Sequence, residues 1–314
     1  MMKTAVFDYH TRESRKAARV PQCLVMFILV FSVLPYAYAE SACKDTRLQV
    51  LGSGGPELDG ARSSSAYLLW QGNSARLLMD TGSGSSVAFG KTGARFADLD
   101  AILLTHLHTD HSADLPSFIK GSFFTARVND LVVAGPQGND RMPDTVTFIT
   151  RLIGPDGAFQ YLSSYLDPTA EAYTLKPVNM PMRTRGHLGG DGWHATSLPV
   201  EHGPIPAVAW RLAIGNCVVV YAGDMSAAPQ DFLAFANEAD LLILHVAIPE
   251  DTGPAARQLH MTPGELASLT NQTAPRRVLL SHFMQRSEQT AAEQFESVDT
   301  QLTVAHDGLI LELE

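Results

Sequence analysis

Between positions 101 and 116 the chain reads AILLTHLHTDHSADLP. His106, His108, Asp110 and His111 fall within six positions. Imidazole and carboxylate are the donors that suit zinc and similar divalent cations. A single histidine after a strand is usually a polar loop residue. Three histidines and an aspartate crowded together each need a hydrogen bond or a shared metal to offset their burial. The spacing therefore points to a metal-binding cluster.

The elements around the cluster must hold it in place. Ala101 to Leu104 is apolar and reads as a short buried strand. Strand side chains repeat every two residues, so His106 and His108 point the same way if the alternation persists past the strand end. Asp110 and His111 then lie on the turn beyond, and each pair can serve one of two adjacent metals. Residues 112–120 read as a helix with Leu115, Phe118 and Ile119 on one face.

Upstream, residues 47–51 read as a strand, and 65–70 with 76–79 as a hairpin around Gln71-Gly72-Asn73. The glycine turn at 52–56 has no helix behind it and reads as a loop, since phosphate cradles require one. Downstream, strands are expected at 130–135, 217–221, 241–244 and 277–281, with further strands on both sides of His202. A helix-like pattern covers 144–166. Thr262, Pro263 and Glu265 form a helix start signal. Asp307-Gly308 reads as a hairpin turn joining the closing strands. His187 and His194 lie in a glycine-rich stretch expected to be a loop, at the surface or cleft, and are not taken as ligands. His306 follows no ligand pattern. Periodicity alone gives a mixed α/β chain.

The string THLHTDH, with its flanking chain, resembles the metallo-β-lactamase superfamily, in its branch of ribonuclease Z and related arylsulfatase-like hydrolases. The resemblance runs from about residue 47 to the C-terminus. It implies a four-layer αβ/βα sandwich, with two mixed sheets and helices on the outer faces. It further implies a first metal site of His106, His108 and His202, and a second of Asp110, His111 and His282. Asp224 would bridge the two. Asp80 would orient a ligating histidine from behind, and His260 would supply the leaving-group proton. Asp110 would take a proton from the nucleophile. Relatives of ribonuclease Z usually carry glutamate where His245 stands, so their proton relay is not carried over. His245 reads as a substrate contact or as a core-edge residue. The implied cofactor is a pair of divalent metal ions, zinc by donor type, with manganese or iron compatible.

The implied activity is hydrolysis of a phosphodiester or aryl sulfate ester of a small substrate by a hydroxide between two metals. A lactone and a tRNA 3′ end are the competing substrates. A non-enzymatic metal-binding protein would be expected to lack ligands, yet every position is filled. Composition bears on the choice. The 314 residues carry 23 basic and 33 acidic side chains, a net charge of −10. Between residues 128 and 180 the basic residues are Arg141, Arg151 and Lys176. Neither pattern suits a broad phosphate-backbone surface, which weighs against nucleic acid as partner. A homodimer is compatible with the sequence.

The N-terminus carries basic residues, then an apolar run from Cys23 to Leu34, then Ala37-Tyr38-Ala39. This order describes a secretory signal peptide over residues 1–39, cut after Ala39, with the hydrolase domain spanning 40–314. Export to the periplasm or beyond is expected. Cys43 and Cys217 would remain, in a compartment that permits a disulfide, with their pairing open.

Overall fold

The computed structural model describes residues 43–314. The expected signal peptide lies outside the described residues. Among the described residues fourteen strands follow in chain order: β1 (Thr46–Gly52), β2 (Ala66–Gln71), β3 (Ser74–Met79), β4 (Ala101–Leu103), β5 (Leu131–Pro136), β6 (Leu175–Met180), β7 (Gly186–Gly190), β8 (Trp193–Val200), β9 (Ala207–Ile214), β10 (Cys217–Tyr221), β11 (Leu241–His245), β12 (Arg277–Ser281), β13 (Gln301–Val304) and β14 (Ile310–Glu312). The helices are α1 (Ser85–Gly90), α2 (Thr109–Ser112), α3 (Leu115–Ser122), α4 (Thr145–Ile153), α5 (Phe232–Ala236), α6 (Pro254–Arg257), α7 (Pro263–Thr273) and α8 (Gln285–Gln294).

The strands form two seven-stranded sheets, ordered β14-β1-β2-β3-β4-β5-β6 and β13-β12-β11-β10-β9-β8-β7. Both are mixed. The β1–β2–β3 meander is antiparallel, and β3 to β6 pair in parallel. In the second sheet β7 to β10 pair antiparallel, and β10 to β13 in parallel.

The core explains why the strands are so continuously apolar. Alternate residues of one strand serve different layers, as the two-residue repeat requires. Tyr67 and Leu69 of β2 enter the core between the sheets, while Leu68 and Trp70 pack outward with Phe89, Phe96, Phe118 and Ile149. On the second sheet Leu241 and Ile243 face inward, while Leu242 and Leu244 pack against Phe232, Phe235 and Leu266. Three apolar layers separate helices, sheet, sheet and helices, which is the four-layer sandwich expected.

Several local expectations need correcting. Asp110 and His111 lie in the one-turn helix α2, not in a turn, and the next helix begins at Leu115. The 144–166 pattern splits at Gly154-Pro155 into α4 and a 3₁₀ segment at Gln160–Leu166, because proline cannot donate to the continuing helix. His187 and His194 sit in the β7–β8 antiparallel pair, exposed, not in a loop. Asp307-Gly308 does not close a hairpin. β13 belongs to the second sheet and β14 to the first, so this turn carries the chain between sheets. Asp307 fastens the crossing by accepting from Ser53 N (3.0 Å), Ser53 Oγ (2.8 Å) and Ser63 N (2.6 Å).

Candidate metal centre

The candidate residues stand at or just beyond the C-terminal ends of strands from both sheets. Asp80 follows β3, and His106, His108, Asp110 and His111 follow β4. His202 follows β8, Asp224 follows β10, His245 ends β11 and His282 follows β12. Tight backbone geometry delivers three of them. Gly223 has φ 63°, and a Cβ there would lie 2.9 Å from Thr105 Cγ2. Glycine is the residue that turns this way without cost, and it places Asp224 directly after the strand. Asp80 and His282 hold φ of 54° and 59° without that freedom, a strain worth about 1–3 kcal/mol each that clusters at functional sites.

Four of the inward-turned imidazoles are held from behind by their other nitrogen. His111 Nδ1 donates to Asp80 Oδ2 (2.7 Å). His202 Nδ1 donates to the Leu259 carbonyl (2.7 Å). His282 Nδ1 bonds Ser65 Oγ (2.7 Å). His106 Nδ1 meets Thr105 Oγ1 (3.1 Å), whose own proton goes to Asp80 Oδ2 (2.8 Å). Such rear contacts set the tautomer and aim the front nitrogen. Asp80 thus serves as the sequence resemblance implies, while Ser65, Thr105 and the Leu259 carbonyl carried no signal in the sequence.

The front nitrogens converge. His108 Nδ1 lies 3.1 Å from His106 Nε2 and 3.3 Å from His202 Nε2. With the rear nitrogens of His106 and His202 donating, both Nε2 atoms carry lone pairs, and His108 has one proton at most to offer them. A cation among the three nitrogens would resolve the conflict. Donors about 2.0–2.1 Å from a tetrahedral zinc stand roughly 3.3–3.4 Å apart, close to the spacing observed. Beside this set, Asp110 Oδ2 is 3.5 Å from His111 Nε2 and 3.7 Å from His282 Nε2. The His111 and His282 Nε2 atoms are buried without a hydrogen-bond partner. Asp224 Oδ2 stands among all of these, 3.5 Å from His111, 3.6 Å from His282, 3.8 Å from His202 and 3.9 Å from His106. All seven side chains expected at the metals therefore meet. His106, His108 and His202 could hold one ion, and His111, Asp224 and His282 another; His245 stands beside the second group with its Nδ1 on Asp224 Oδ1 and its Nε2 on Tyr67 Oη.

Burial pushes His106, His202 and His282 below the ordinary imidazole range, so they present lone pairs. His111 moves the other way: burial alone would lower it, but Asp110, Asp224 and Asp80 outweigh that. Burial would raise Asp224, yet His282, His111 and His260 hold it well below the usual carboxylate range. The carboxylates that would keep a proton on His111 attract a divalent cation for the same reason.

His260 precedes α7, whose capping box is complete: Thr262 Oγ1 accepts from Glu265 N and Glu265 accepts from Thr262 N. Its Nδ1 lies 3.8 Å from Asp224 Oδ2 and has no hydrogen-bond partner. His245 is buried behind Asp224 and does not line the cleft. The cleft over the cluster has a volume of about 460 Å³. His108, Asp110, Asp224, His260 and His282 form its floor, and Pro56, Leu107, Met142 and Leu259 its apolar walls.

Two facing mixed sheets with a histidine–carboxylate cluster at their strand ends define a metal-dependent hydrolase architecture. The chain belongs to the beta-lactamase superfamily: the model described as "Beta-lactamase superfamily domain" matches residues 75–283. Among its relatives, a ribonuclease Z from Mycobacterium sp. (strain KMS) is 29% identical over 248 residues, covering 75% of this chain and 83% of the relative. Human tRNase Z, short form, superposes with a TM-score of 0.67 at 20% identity, covering 85% of this chain and 99% of that one. A diphosphatase of the PhnP family superposes at 0.62 with 18% identity, over 85% and 96%. The structural likenesses establish the fold.

Proposed function

We propose that this protein hydrolyses a phosphodiester of a small substrate with two divalent cations, zinc foremost. His106, His108 and His202 would hold the first, and Asp110, His111 and His282 the second, with Asp224 touching both. The observation that carries the reading is the position of Asp224 Oδ2, 3.5–3.9 Å from nitrogens of both histidine sets. When bound, such a pair lowers the pKa of water towards about 7 and neutralises charge at the attacked centre. Asp110 lines the cleft and accepts the proton of the attacking water. His260 lines the same cleft and gives a proton to the departing oxygen. Pro56, Leu107, Met142 and Leu259 exclude bulk water and seat an apolar leaving group.

A second reading, tRNA 3′ processing, is favoured by the relatives named ribonuclease Z. Against it, among the described residues no lysine or arginine lines the cleft, and Lys176 is paired with Asp130 at 3.3 Å. Export through the leader at 1–39 is part of the proposal. The Cys43–Cys217 disulfide supports it, because such bonds persist in oxidising compartments.

The purified chain, loaded with zinc or manganese, is to be assayed on bis(4-nitrophenyl) phosphate, a 4-nitrophenyl sulfate, a lactone and a precursor tRNA. Phosphodiester turnover that disappears on chelation and in Asp110→Ala is the expected result. Cleavage of the tRNA with the small ester untouched would replace this reading by the second. Turnover confined to the sulfate or the lactone would reassign the substrate.

A further inference from the structure

The two oxygens of Asp224 live in different surroundings. Oδ2 faces the ring of histidine nitrogens described above. Oδ1 accepts from His245 Nδ1 at 2.6 Å. The His245 ring lies flat on His282, with centroids 4.4 Å apart and 9° between planes. Its Nε2 meets Tyr67 Oη at 3.1 Å, and Tyr67 Oη bonds Ser281 Oγ at 2.7 Å. His245 and Ser281 are register partners across β11 and β12, while Tyr67 comes from β2 in the facing sheet. All three side chains are buried.

Both nitrogens of His245 are therefore engaged away from the centre of the cluster. We propose that His245 is a positioning residue. It claims Oδ1 of Asp224, so that Oδ2 alone is left to contact both cations, and Tyr67 with Ser281 fixes the ring that does so. A carboxylate free to rotate could bind one ion through both oxygens and forfeit the shared contact. The stacking on His282 ties the same ring to a second ligand. This inference rests on the two-cation reading of the proposed function.

The test uses the full chain stripped by chelation and titrated with cobalt(II). Bound cobalt per chain is counted by mass spectrometry, and the visible absorption bands report coordination. The unaltered chain should take two ions. His245→Ala should keep the ion of His106, His108 and His202, bind the other about 10–100-fold more weakly, and shift the absorption bands. His245→Asn, whose amide can donate where Nδ1 does, should recover most of that affinity. Tyr67→Phe should weaken the second ion by a smaller factor, and it carries the test if His245→Ala does not fold. Unchanged titration and spectrum in His245→Ala, or in Tyr67→Phe where that variant stands in, would overturn the inference. So would His245→Asn behaving as alanine does. A failure of the unaltered chain to bind two cobalt ions would instead overturn the two-cation reading itself.

Discussion

Asp80 accepts four hydrogen bonds: from Thr105 N (2.7 Å) and Thr105 Oγ1 (2.8 Å), from His111 Nδ1 (2.7 Å) and from Tyr221 Oη (2.6 Å). It is fully buried and does not line the cleft. Its acceptor-only chemistry dictates which nitrogen of His111 carries the proton, and so which is left for a cation. Asp80→Asn keeps the shape but places a donor where acceptors are needed. Its expected effect is a loss of about 10–100-fold in affinity for the cation at His111, read by competition with a chromogenic chelator. Equal affinity in variant and parent would show that His111 needs no such partner. The residue scale is also where the sequence was most legible. His106 to His111 lie close enough along the chain for their donor types to speak for themselves. His202, Asp224 and His282 are isolated in the sequence, and only their resemblance to a known pattern marks them. Ser65, Tyr67 and Ser281 carry no mark at all, because a hydroxyl behind an imidazole is defined by tertiary contact alone.

At the scale of elements, signals that depend on neighbouring residues could be read, and signals that depend on partner strands could not. The helix start at Thr262 is local chemistry, and the capping box is present as expected. Thr262→Ala removes the side-chain acceptor for Glu265 N and should cost about 1 kcal/mol. For a domain of this size that is a fall of roughly 2 °C in Tm, measurable by differential scanning calorimetry. No fall would mean that Pro263 and packing of Leu266 suffice to start α7. Helix α2 escaped notice because four residues are too few to display a 3.6-residue period. Strand β7 escaped because glycines at 186, 189 and 190 blur any alternation, whereas β8, just before His202, was expected. The assignment of β13 and β14 to different sheets was beyond reach for another reason. Alternation tells which residues of a strand share a face, not which strand lies beside it.

At the scale of the whole molecule, the two sheets share a buried core that includes Cys43 and Cys217. Cys43 precedes β1 in the first sheet and Cys217 opens β10 in the second. Their disulfide therefore joins the sheets directly, across 174 positions of sequence. Closing so long a loop removes entropy from the unfolded chain, by a model estimate of roughly 5 kcal/mol, and losses of about 2–5 kcal/mol follow removal of such links. Cys217 also stands at the opposite end of β10 from Asp224, so the link and the metal cluster are separable by mutation. The double variant Cys43→Ser, Cys217→Ser is expected to unfold at a lower denaturant midpoint, by an amount equivalent to about 2–5 kcal/mol. Its cobalt stoichiometry should match that of the parent. A midpoint that did not move would mean that apolar packing and the buried hydrogen bonds between the sheets, such as Tyr221 to Asp80 and Tyr67 to Ser281, hold them together without it. A midpoint that fell together with the cobalt count would mean that the strand-end cluster needs the covalent link to keep its two halves in register.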